Sequence, residues 1–358
     1  MSMPEREELC TIAWERETGS IVYIDQTLLP GRCEQMRCTT VEDLARAIRR
    51  LEVRGAPALG IAGAMGVALA AVRSTETDLG RFLADVGRAA DLLRSTRPTA
   101  VNLAWGIDRV ARKVAMAASV DEAKALAVAE ANAVAEEDEL TCRRLGAFGE
   151  ELFPTTCTAL THCNAGALAC RCWGTALGVI RSAVAAGKDV RVIACETRPL
   201  NQGSRLTCWE LARDGIDVTL IPDSSAAYLM RKGEIDLVIV GADRITKDAV
   251  FNKIGTYMHA VAARHHGIPF YVAAPVSTFD LARTESEIIV EERDRAELAY
   301  CGDRQLAPDS VNVLNYAFDA TPLDLVDAII TEIGVLRPPY SESFRLVGNP
   351  AHRRGQGA

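Results

Sequence analysis

The second half of the sequence repeats one unit, a short apolar run followed by a longer segment with helical periodicity. Four of these units end in a glycine where a helix is expected to stop, at Gly187, Gly215, Gly233 and Gly267. The apolar runs do not alternate with polar residues, which indicates strands that are buried on both faces. The sequence therefore predicts an open parallel sheet covered by helices, in which ligands bind beyond the carboxyl ends of the strands.

The first half has a different texture, with long amphipathic stretches rich in Ala, Leu, Glu and Arg. We expect an α/β protein in which a helical N-terminal domain precedes a Rossmann-like parallel-sheet domain. The expected domains are residues 1–150 and 151–345, followed by a disordered tail over 346–358. Predicted helices of the first domain cover 41–51, 57–72, 79–95, 99–119 and 121–152, after a strand or hairpin element at 21–29. In the second domain, predicted strands cover 159–163, 190–194, 218–221, 237–242 and 270–273, and predicted helices cover 168–186, 204–214, 226–232 and 254–266.

Composition and charge exclude several classes of protein. With 49% hydrophobic and 25% charged residues among 358, the chain has enough apolar material for a core and is not a disordered or fibrous sequence. Its 40 basic and 48 acidic residues give a net charge of −8, which argues against nucleic-acid binding. No basic segment leads into an apolar stretch at the N-terminus, and we expect no run of about 18 apolar residues, the length that a membrane-spanning helix needs. An odd total of 11 cysteines fits a cytoplasmic protein with reduced thiols better than a disulfide framework.

Cys163 is the first candidate catalytic residue. The first predicted strand runs into the small polar turn Thr161-His162-Cys163-Asn164-Ala165-Gly166, which the pattern places at the head of a helix. Helix N-termini favour anions and thiolates, so this position favours a reactive thiol. The alternative is a buried, inert cysteine, which describes most free cysteines.

Asp243 is the second candidate, because it directly follows the fourth predicted strand. If that strand lies next to the first one, Asp243 faces the same crevice as Cys163. A carboxyl group there can act as a general acid or base once burial raises its pKa. The alternative is a structural carboxylate that caps the next segment or pairs with Arg244.

Other polar groups are candidates for binding a phosphorylated ligand. In the first half, Arg54 and Arg97 each lie beside a proline-marked helix start, where an arginine can meet a phosphate. In the second half, Asn252 and Lys253 are predicted to open a helix, and an amide and an ammonium there can hold hydroxyls and phosphate oxygens. Gln202 is predicted to lie in a polar loop after the second strand, and such a loop often carries binding residues. The alternative is structural: an ion pair between Arg198 and Glu196 would explain part of the loop's polarity.

Several cofactor motifs are absent from the sequence. The glycines of residues 59–63 do not follow a strand with dinucleotide-binding spacing, and no GxxxxGK[ST] phosphate loop occurs. The cysteines lack a paired CxxC arrangement. We therefore expect neither a nucleotide cofactor nor a metal site.

The order of the short motifs resembles the methylthioribose-1-phosphate isomerase family of methionine salvage over nearly the whole chain. The motifs are Asp25-Gln26-Thr27-Leu28-Leu29-Pro30, Arg54-Gly55-Ala56-Pro57, Arg97-Pro98-Thr99-Ala100-Val101-Asn102, the Cys163 turn, Glu196-Thr197-Arg198-Pro199, Gly241-Ala242-Asp243-Arg244-Ile245, Asn252-Lys253-Ile254-Gly255-Thr256-Tyr257 and Ala317-Phe318-Asp319. The resemblance implies a cofactor-free aldose–ketose isomerase, usually a homodimer, that converts 5-methylthioribose 1-phosphate to 5-methylthioribulose 1-phosphate. It implies Cys163 and Asp243 as the catalytic pair. The implied sugar-phosphate ligands are Arg54, Gly55, Ala56, Arg97, Gln202, Asn252 and Lys253.

Departures from the family pattern leave the substrate open. Cys195 and Pro222 replace the usual Asp and Thr, the segment 246–251 is one residue short, and Tyr316 replaces a proline. These changes favour, as an alternative, a related isomerase of 5-deoxyribose 1-phosphate or 5-fluoro-5-deoxyribose 1-phosphate. A ribose 1,5-bisphosphate isomerase and a non-catalytic regulatory subunit of the translation initiation nucleotide-exchange factor share the fold. The presence of both Cys163 and Asp243 favours an enzyme.

Overall fold

The computed structural model describes residues 8–348, which form two compact units. The helical unit contains residues 8–143 and the segment Gly166–Gly174. The sheet unit contains residues 144–165 and 175–348.

The helical unit begins with a small antiparallel sheet and continues with helices. Its strands are β1 (Ile12–Glu15), β2 (Ser20–Ile24) and β3 (Gln35–Cys38), and its helices are α1 (Val41–Arg49), α2 (Ala56–Arg73), α3 (Leu79–Arg94), α4 (Val101–Val114) and α5 (Val120–Glu150), the last of which continues into the sheet unit. All five predicted helices are present. The predicted strand at 21–29 is correct only as far as Ile24, where β2 ends.

Helix α2 is the core helix of this unit, because its small residues allow close packing. A side chain at Gly106 of α4 would place its Cβ 2.0 Å from the carbonyl oxygen of Gly60, so the backbones of α2 and α4 touch. The expectation that no segment is long and apolar enough to cross a bilayer was wrong for α2, the one such helix among residues 8–348. Since 72% of that window is buried within the structure, α2 has the surroundings of a core helix.

The sheet unit is built on one seven-stranded sheet. The strands of the whole unit, of which seven form this sheet, are β4 (Thr156–Thr161), β5 (Asp189–Cys195), β6 (Val218–Ile221), β7 (Leu237–Val240), β8 (Arg244–Ile245), β9 (Ala249–Lys253), β10 (Phe270–Ala273), β11 (Tyr300–Cys301), β12 (Arg304–Gln305), β13 (Phe318–Pro322), β14 (Ala328–Thr331) and β15 (Gly334–Leu336). Its remaining helices are α6 (Ala176–Ala185), α7 (Cys208–Asp214), α8 (Ala226–Arg231), α9 (Thr256–His266), α10 (Arg295–Ala299) and α11 (Tyr340–Val347).

The main sheet has the order β6-β5-β4-β7-β10-β14-β15. The first six strands are parallel, and β15 is an antiparallel edge strand. Counted in chain order, the parallel strands run 3-2-1-4-5-6, which is the doubly wound order of dinucleotide-binding folds. The predicted fold class is therefore confirmed. The prediction missed the sixth parallel strand, β14.

Two further antiparallel sheets belong to this unit. One joins β13, β9 and β8, and the other joins β11 and β12. The segment 246–251, which is one residue short relative to the resembled family, forms the turn between β8 and β9 and the first part of β9. The bond from the Thr246 N–H to the Ala249 carbonyl closes this turn at 2.9 Å. Of the predicted tail over 346–358, residues up to Val347 belong to α11 and those from 349 onward lie outside the described residues.

Candidate active site

The strand order places Cys163 and Asp243 at the same edge of the main sheet. Strand β4, which precedes Cys163, is directly paired with β7, which precedes Asp243, through Ala159 with Leu237 and Leu160 with Val238. The strands that follow β4 in the chain are added on one side of this pair, beginning with β5, and those that follow β7 are added on the other side, beginning with β10. Ligands of open α/β sheets bind at this kind of switch point.

The turn that holds Cys163 differs from the prediction. Helix α6 begins at Ala176 and not at 168, because a single 3₁₀ turn, Ala167–Ala169, and the bridge between Gly166 and Gly174 come first. The helix-terminus argument for Cys163 was therefore wrong. The half-buried Cys163 instead has a positive φ of 64°, a conformation that is uncommon outside glycine and is found at functional sites.

Two threonine side chains hold the backbone of Cys163. Its N–H donates to Oγ1 of Thr197 at 2.9 Å, and its carbonyl accepts from Oγ1 of Thr207 at 2.6 Å. Thr197 also has a positive φ, 65°, which is strained for a β-branched residue. The N–H groups of Thr197 and Arg198 both donate to the Asp223 carboxylate, at 2.7 and 2.8 Å. Two strained strand ends therefore support each other.

A buried polar network that the sequence analysis missed anchors the residue after Cys163. The Nδ2 atom of Asn164 donates to Oε1 of the fully buried Glu210 at 2.9 Å. Arg181 donates to the other Glu210 oxygen at 2.8 Å and to Asp214 at 2.7 Å. A buried carboxylate is tolerated only when it is paired in this way. The i, i+4 spacing of Glu210 and Asp214, which places two carboxylates on one helix face, was the sequence signal that could have predicted a shared basic partner.

Gln202 lies at the start of the π-helical turn Gly203–Thr207, which leads into α7, and not in a loop as predicted; its Oε1 atom is buried and has no hydrogen-bond partner. The next residue must be glycine, because a Cβ at Gly203 would lie 1.7 Å from the carbonyl oxygen of Cys195. Arg198 donates to the carbonyls of Leu298 and Pro199 and does not pair with Glu196. An orphaned buried oxygen is costly, so Gln202 is a ready acceptor for a ligand hydroxyl.

Asp243 is half-buried, and its N–H donates to the Phe251 carbonyl of β9 at 2.9 Å. Its neighbour Arg244 forms an ion pair with Asp280 at 3.2 Å. Strand β9 then leads to Asn252 and Lys253.

Asn252 and Lys253 end strand β9 and do not open a helix, which corrects the prediction. Helix α9 starts only at Thr256, after Gly255 turns the chain with φ 104°. Both side chains are buried. The Asn252 amide donates to Oγ1 of Thr256 at 3.0 Å, and the Lys253 ammonium lies 4.7 Å from the centre of the Phe318 ring.

The remaining candidate residues lie in the helical unit. The buried Arg54 donates through Nε to Oε1 of Gln26 at 3.0 Å, directly before Gly55 and the first residue of α2, Ala56. Gly55 has φ 93°, and a Cβ there would lie 2.5 Å from Cα of Ala169. Arg97 is half-buried and precedes α4.

The starts of α2 and α4 lie on the same side of the helical unit. Gly60, in the second turn of α2, approaches the Asn102 carbonyl in the first turn of α4, with 3.2 Å from an added Cβ to that oxygen. The segments that carry Arg54 and Arg97 therefore enter this helix pair from one end.

The structure thus groups the candidates in two sets. Five lie around the switch-point edge of the sheet unit: Cys163, Asp243, Gln202, Asn252 and Lys253. Four lie at helix starts of the helical unit: Arg54, Gly55, Ala56 and Arg97.

The doubly wound sheet defines an α/β protein of the Rossmann-like class, and the polar residues at its switch point mark the place where such proteins bind ligands. The chain belongs to the initiation factor 2 subunit family, whose model matches residues 52–338. It is 53% identical over 341 residues to a methylthioribose-1-phosphate isomerase of Heliobacterium modesticaldum, covering 94% of this chain and 98% of the relative. It is 51% identical over 345 residues to a 5-deoxyribose 1-phosphate isomerase of Moorella thermoacetica, covering 95% and 98%.

Solved structures show the same fold. The crystal structure of 5-methylthioribose 1-phosphate isomerase from Pyrococcus horikoshii has a TM-score of 0.89 and 42% identity, covering 94% of this chain and 95% of that one. The crystal structure of translation initiation factor eIF-2B, subunit delta, from A. fulgidus has a TM-score of 0.86 and 56% identity, covering 95% and 99%. The resemblance seen in the motifs is confirmed.

Proposed function

We propose that the protein is an aldose–ketose isomerase that converts 5-methylthioribose 1-phosphate to 5-methylthioribulose 1-phosphate. The observation that carries the proposal is the pair of Cys163 and Asp243, which follow the ends of β4 and β7, the two adjacent strands at the switch point. Relatives at about half identity that are named as isomerases of 5-substituted ribose 1-phosphates support the same reaction class.

Asp243 is the acid in this proposal. An aldose 1-phosphate cannot open its ring by losing a hydroxyl proton, because the anomeric oxygen is esterified. A proton must therefore be given to the ring oxygen as the bond from C1 to O4 breaks. The half-buried Asp243 carboxyl group, at the end of a strand beside Cys163's strand, is the group that gives this proton.

Cys163 assists the hydrogen transfer that follows. Hydrogen moves from C2 to C1, either as a proton through an enolate-like intermediate or as a hydride with loss of the O2 proton. The product in both cases is a C2 ketone. Substrate deuterated at C2 separates the routes, because a hydride shift keeps the label at C1 and the enolate route releases label to solvent.

The binding roles follow from the chemistry of the side chains. Gln202, with its unpartnered buried oxygen, accepts from a sugar hydroxyl, and Asn252 and Lys253 bind further substrate oxygens. Arg54, Arg97 and the backbone at Gly55 and Ala56 bind the phosphate, as expected for arginines and N–H groups at helix starts.

A second substrate, 5-deoxyribose 1-phosphate, is favoured by the relative that carries that name and by Cys195, which replaces the residue usual in the methylthioribose family. We propose a substrate panel of the 5-methylthio, 5-deoxy and 5-fluoro-5-deoxy compounds and ribose 1,5-bisphosphate, compared by kcat/KM. An apolar pocket discriminates by only about 1–3 kcal/mol per methylene-sized group, so overlapping activities are expected.

The panel also tests the non-catalytic alternative. Turnover of none of the four compounds would refute the isomerase and favour a regulatory subunit, since the A. fulgidus protein of the same fold is named as a translation initiation factor subunit. We further infer a cytoplasmic homodimer from the family resemblance, and sedimentation of a monomer would refute the dimer.

A further inference from the structure

Two buried histidines beside the candidate site have no role in the proposed chemistry. His162 directly precedes Cys163 and is 1% exposed. His259 lies in the first part of α9 and is fully buried. Histidines are rarely buried without a partner, so their contacts need an explanation.

The contacts of the two rings determine where their protons lie. Nε2 of His162 lies 2.8 Å from the carbonyl oxygen of Ile254, which can only accept, so Nε2 of the ring carries the proton. Nδ1 of the neutral His162 ring is then an acceptor. It lies 3.2 Å from Nε2 of His259, which must donate. The chain of bonds therefore runs from His259 to His162 to Ile254.

Both rings are neutral near pH 7. Burial lowers the pKa of His162 to about 4, and the nearby Lys253 ammonium acts in the same direction. Burial, together with the neighbouring His162, lowers the pKa of His259 to about 3. The nearest carboxylate, Asp223, is 3.8 Å from His162 Nδ1 and already accepts from two backbone N–H groups.

The backbone around Ile254 fits closely against the His162 ring. A Cβ added at Gly255 would lie 3.1 Å from both Cε1 and Nε2 of that ring, so only glycine allows this approach without displacement. Ile254 directly follows Lys253 at the end of β9, and Gly255 precedes α9. The ring therefore bridges the end of β4, which carries Cys163, to the end of β9, which carries Asn252 and Lys253.

We infer that His162 is a positioning residue, with His259 as its support, that fixes the Cys163 turn relative to the Asn252–Lys253 strand end. The inference rests on the proposed function, since it assumes that both segments contact one substrate. A misplacement of about 1 Å between reacting groups costs about 100-fold in rate. A rigid, neutral bridge between these segments prevents such a displacement.

A metal ion is the competing explanation. A ligand atom of Cys195 lies within 4.8 Å of one on each of His162 and His259, and Cys and His are zinc ligands. The ring-to-ring hydrogen bond already uses the Nδ1 lone pair of His162, however, and the Asp223 carboxylate is already bonded. The contacts of His162 therefore favour the hydrogen-bonded pair, in which Nδ1 of His259 is the one ring nitrogen without a hydrogen-bond partner.

The kinetic test compares two substitutions of one residue. His162→Phe keeps the ring but loses both bonds and should lower kcat/KM about 100-fold, mainly through kcat. His162→Gln places an N–H at the same distance along the side chain as Nε2, and it should restore most of that loss. The matched control is Phe270→Leu. Phe270 is buried at the amino end of β10, away from the carboxyl ends of the strands where Cys163 lies, so this substitution should lower stability and leave kcat unchanged.

The second readout does not depend on activity. In protein labelled with ¹⁵N-histidine, both rings should give the neutral Nε2–H pattern between pH 6 and 8, and each signal is assigned by its loss in His162→Gln or His259→Gln. An imidazolium or Nδ1–H pattern would overturn the inference. One bound zinc per chain that is released in Cys195→Ala would also overturn it.

The outcomes separate this inference from the proposed function. Wild-type protein that turns over no substrate refutes the isomerase, while the ¹⁵N pattern still decides whether the pair is bonded as described. Active wild type with His162→Phe as active as Phe270→Leu refutes the positioning role and leaves the isomerase intact.

Discussion

Replacing Thr197 by valine tests whether the Thr197 hydroxyl is needed to hold the strained Cys163 turn. The fully buried Thr197 accepts from the Cys163 N–H at 2.9 Å and donates to the Cys195 carbonyl at 3.1 Å. Valine has nearly the same shape and the same β-branched backbone preference, so the substitution removes these two bonds and little else.

The stability loss follows from the two bonds. Removing the Thr197 acceptor from the half-buried Cys163 N–H costs about 1–3 kcal/mol, and the lost bond to Cys195 costs about 1 kcal/mol more. Thr197→Val should therefore lower the free energy of unfolding by about 2–4 kcal/mol, which corresponds to a decrease in Tm of about 5–15 °C for a unit of this size. Because the Thr197 hydroxyl then no longer holds the Cys163 N–H, the turn should shift from its positive φ, and kcat should fall about 100-fold.

Thr331→Val is the matched control. Thr331 is also fully buried at the end of a parallel strand, accepts from the Ile333 N–H at 3.2 Å and donates to the Gly334 carbonyl at 2.8 Å. It should lose similar stability and retain the kcat of wild type. Thermal unfolding and steady-state assays on both variants are sufficient, and an equal kcat in the two would refute the argument.

Three further predictions concern other residues. Cys163→Ser and Asp243→Asn should each abolish turnover with an unchanged circular dichroism spectrum, and near-wild-type rates in either would contradict its catalytic assignment. Gln202→Leu removes an unpartnered buried oxygen, so KM should rise about tenfold for one lost substrate hydrogen bond while Tm stays equal or increases; an unchanged KM would contradict the binding role. Burial raises the pKa of Asp319 to about 6, so the folded protein keeps this proton at pH values where the unfolded chain has lost it. The free energy of unfolding should therefore fall as pH rises from about 4 to about 6, and Asp319→Asn should remove that part of the fall; urea titrations that give parallel pH profiles would contradict it.

Local patterns predicted much of the fold. The apolar runs identified five of the six parallel strands, since a strand buried on both faces must be apolar throughout. Glycine identified helix ends, and Gly187, Gly215, Gly233 and Gly267 all have positive φ in the structure. The pattern missed β14 because this four-residue strand is followed by a hairpin strand and not by another strand–helix unit.

The surroundings of the candidate residues were less predictable. Helical periodicity extended α6 back to 168, although the chain leaves the sheet unit at Gly166 and returns only at Thr175. Small, apolar residues in a 3₁₀ turn and a loop resemble the start of a buried helix, so periodicity cannot separate them.

The sequence by itself determined the sheet, the edge where ligands bind and the residues worth testing, because periodicity and strand ends are local properties of the chain. Only the tertiary structure decided what surrounds Cys163: the hydroxyl of Thr197, the carboxylate that anchors Asn164, and the ring of His259 behind His162. These contacts join residues 34, 46 and 97 positions apart. No local pattern specifies such pairs, since they form only when strands and helices from distant parts of the chain pack together.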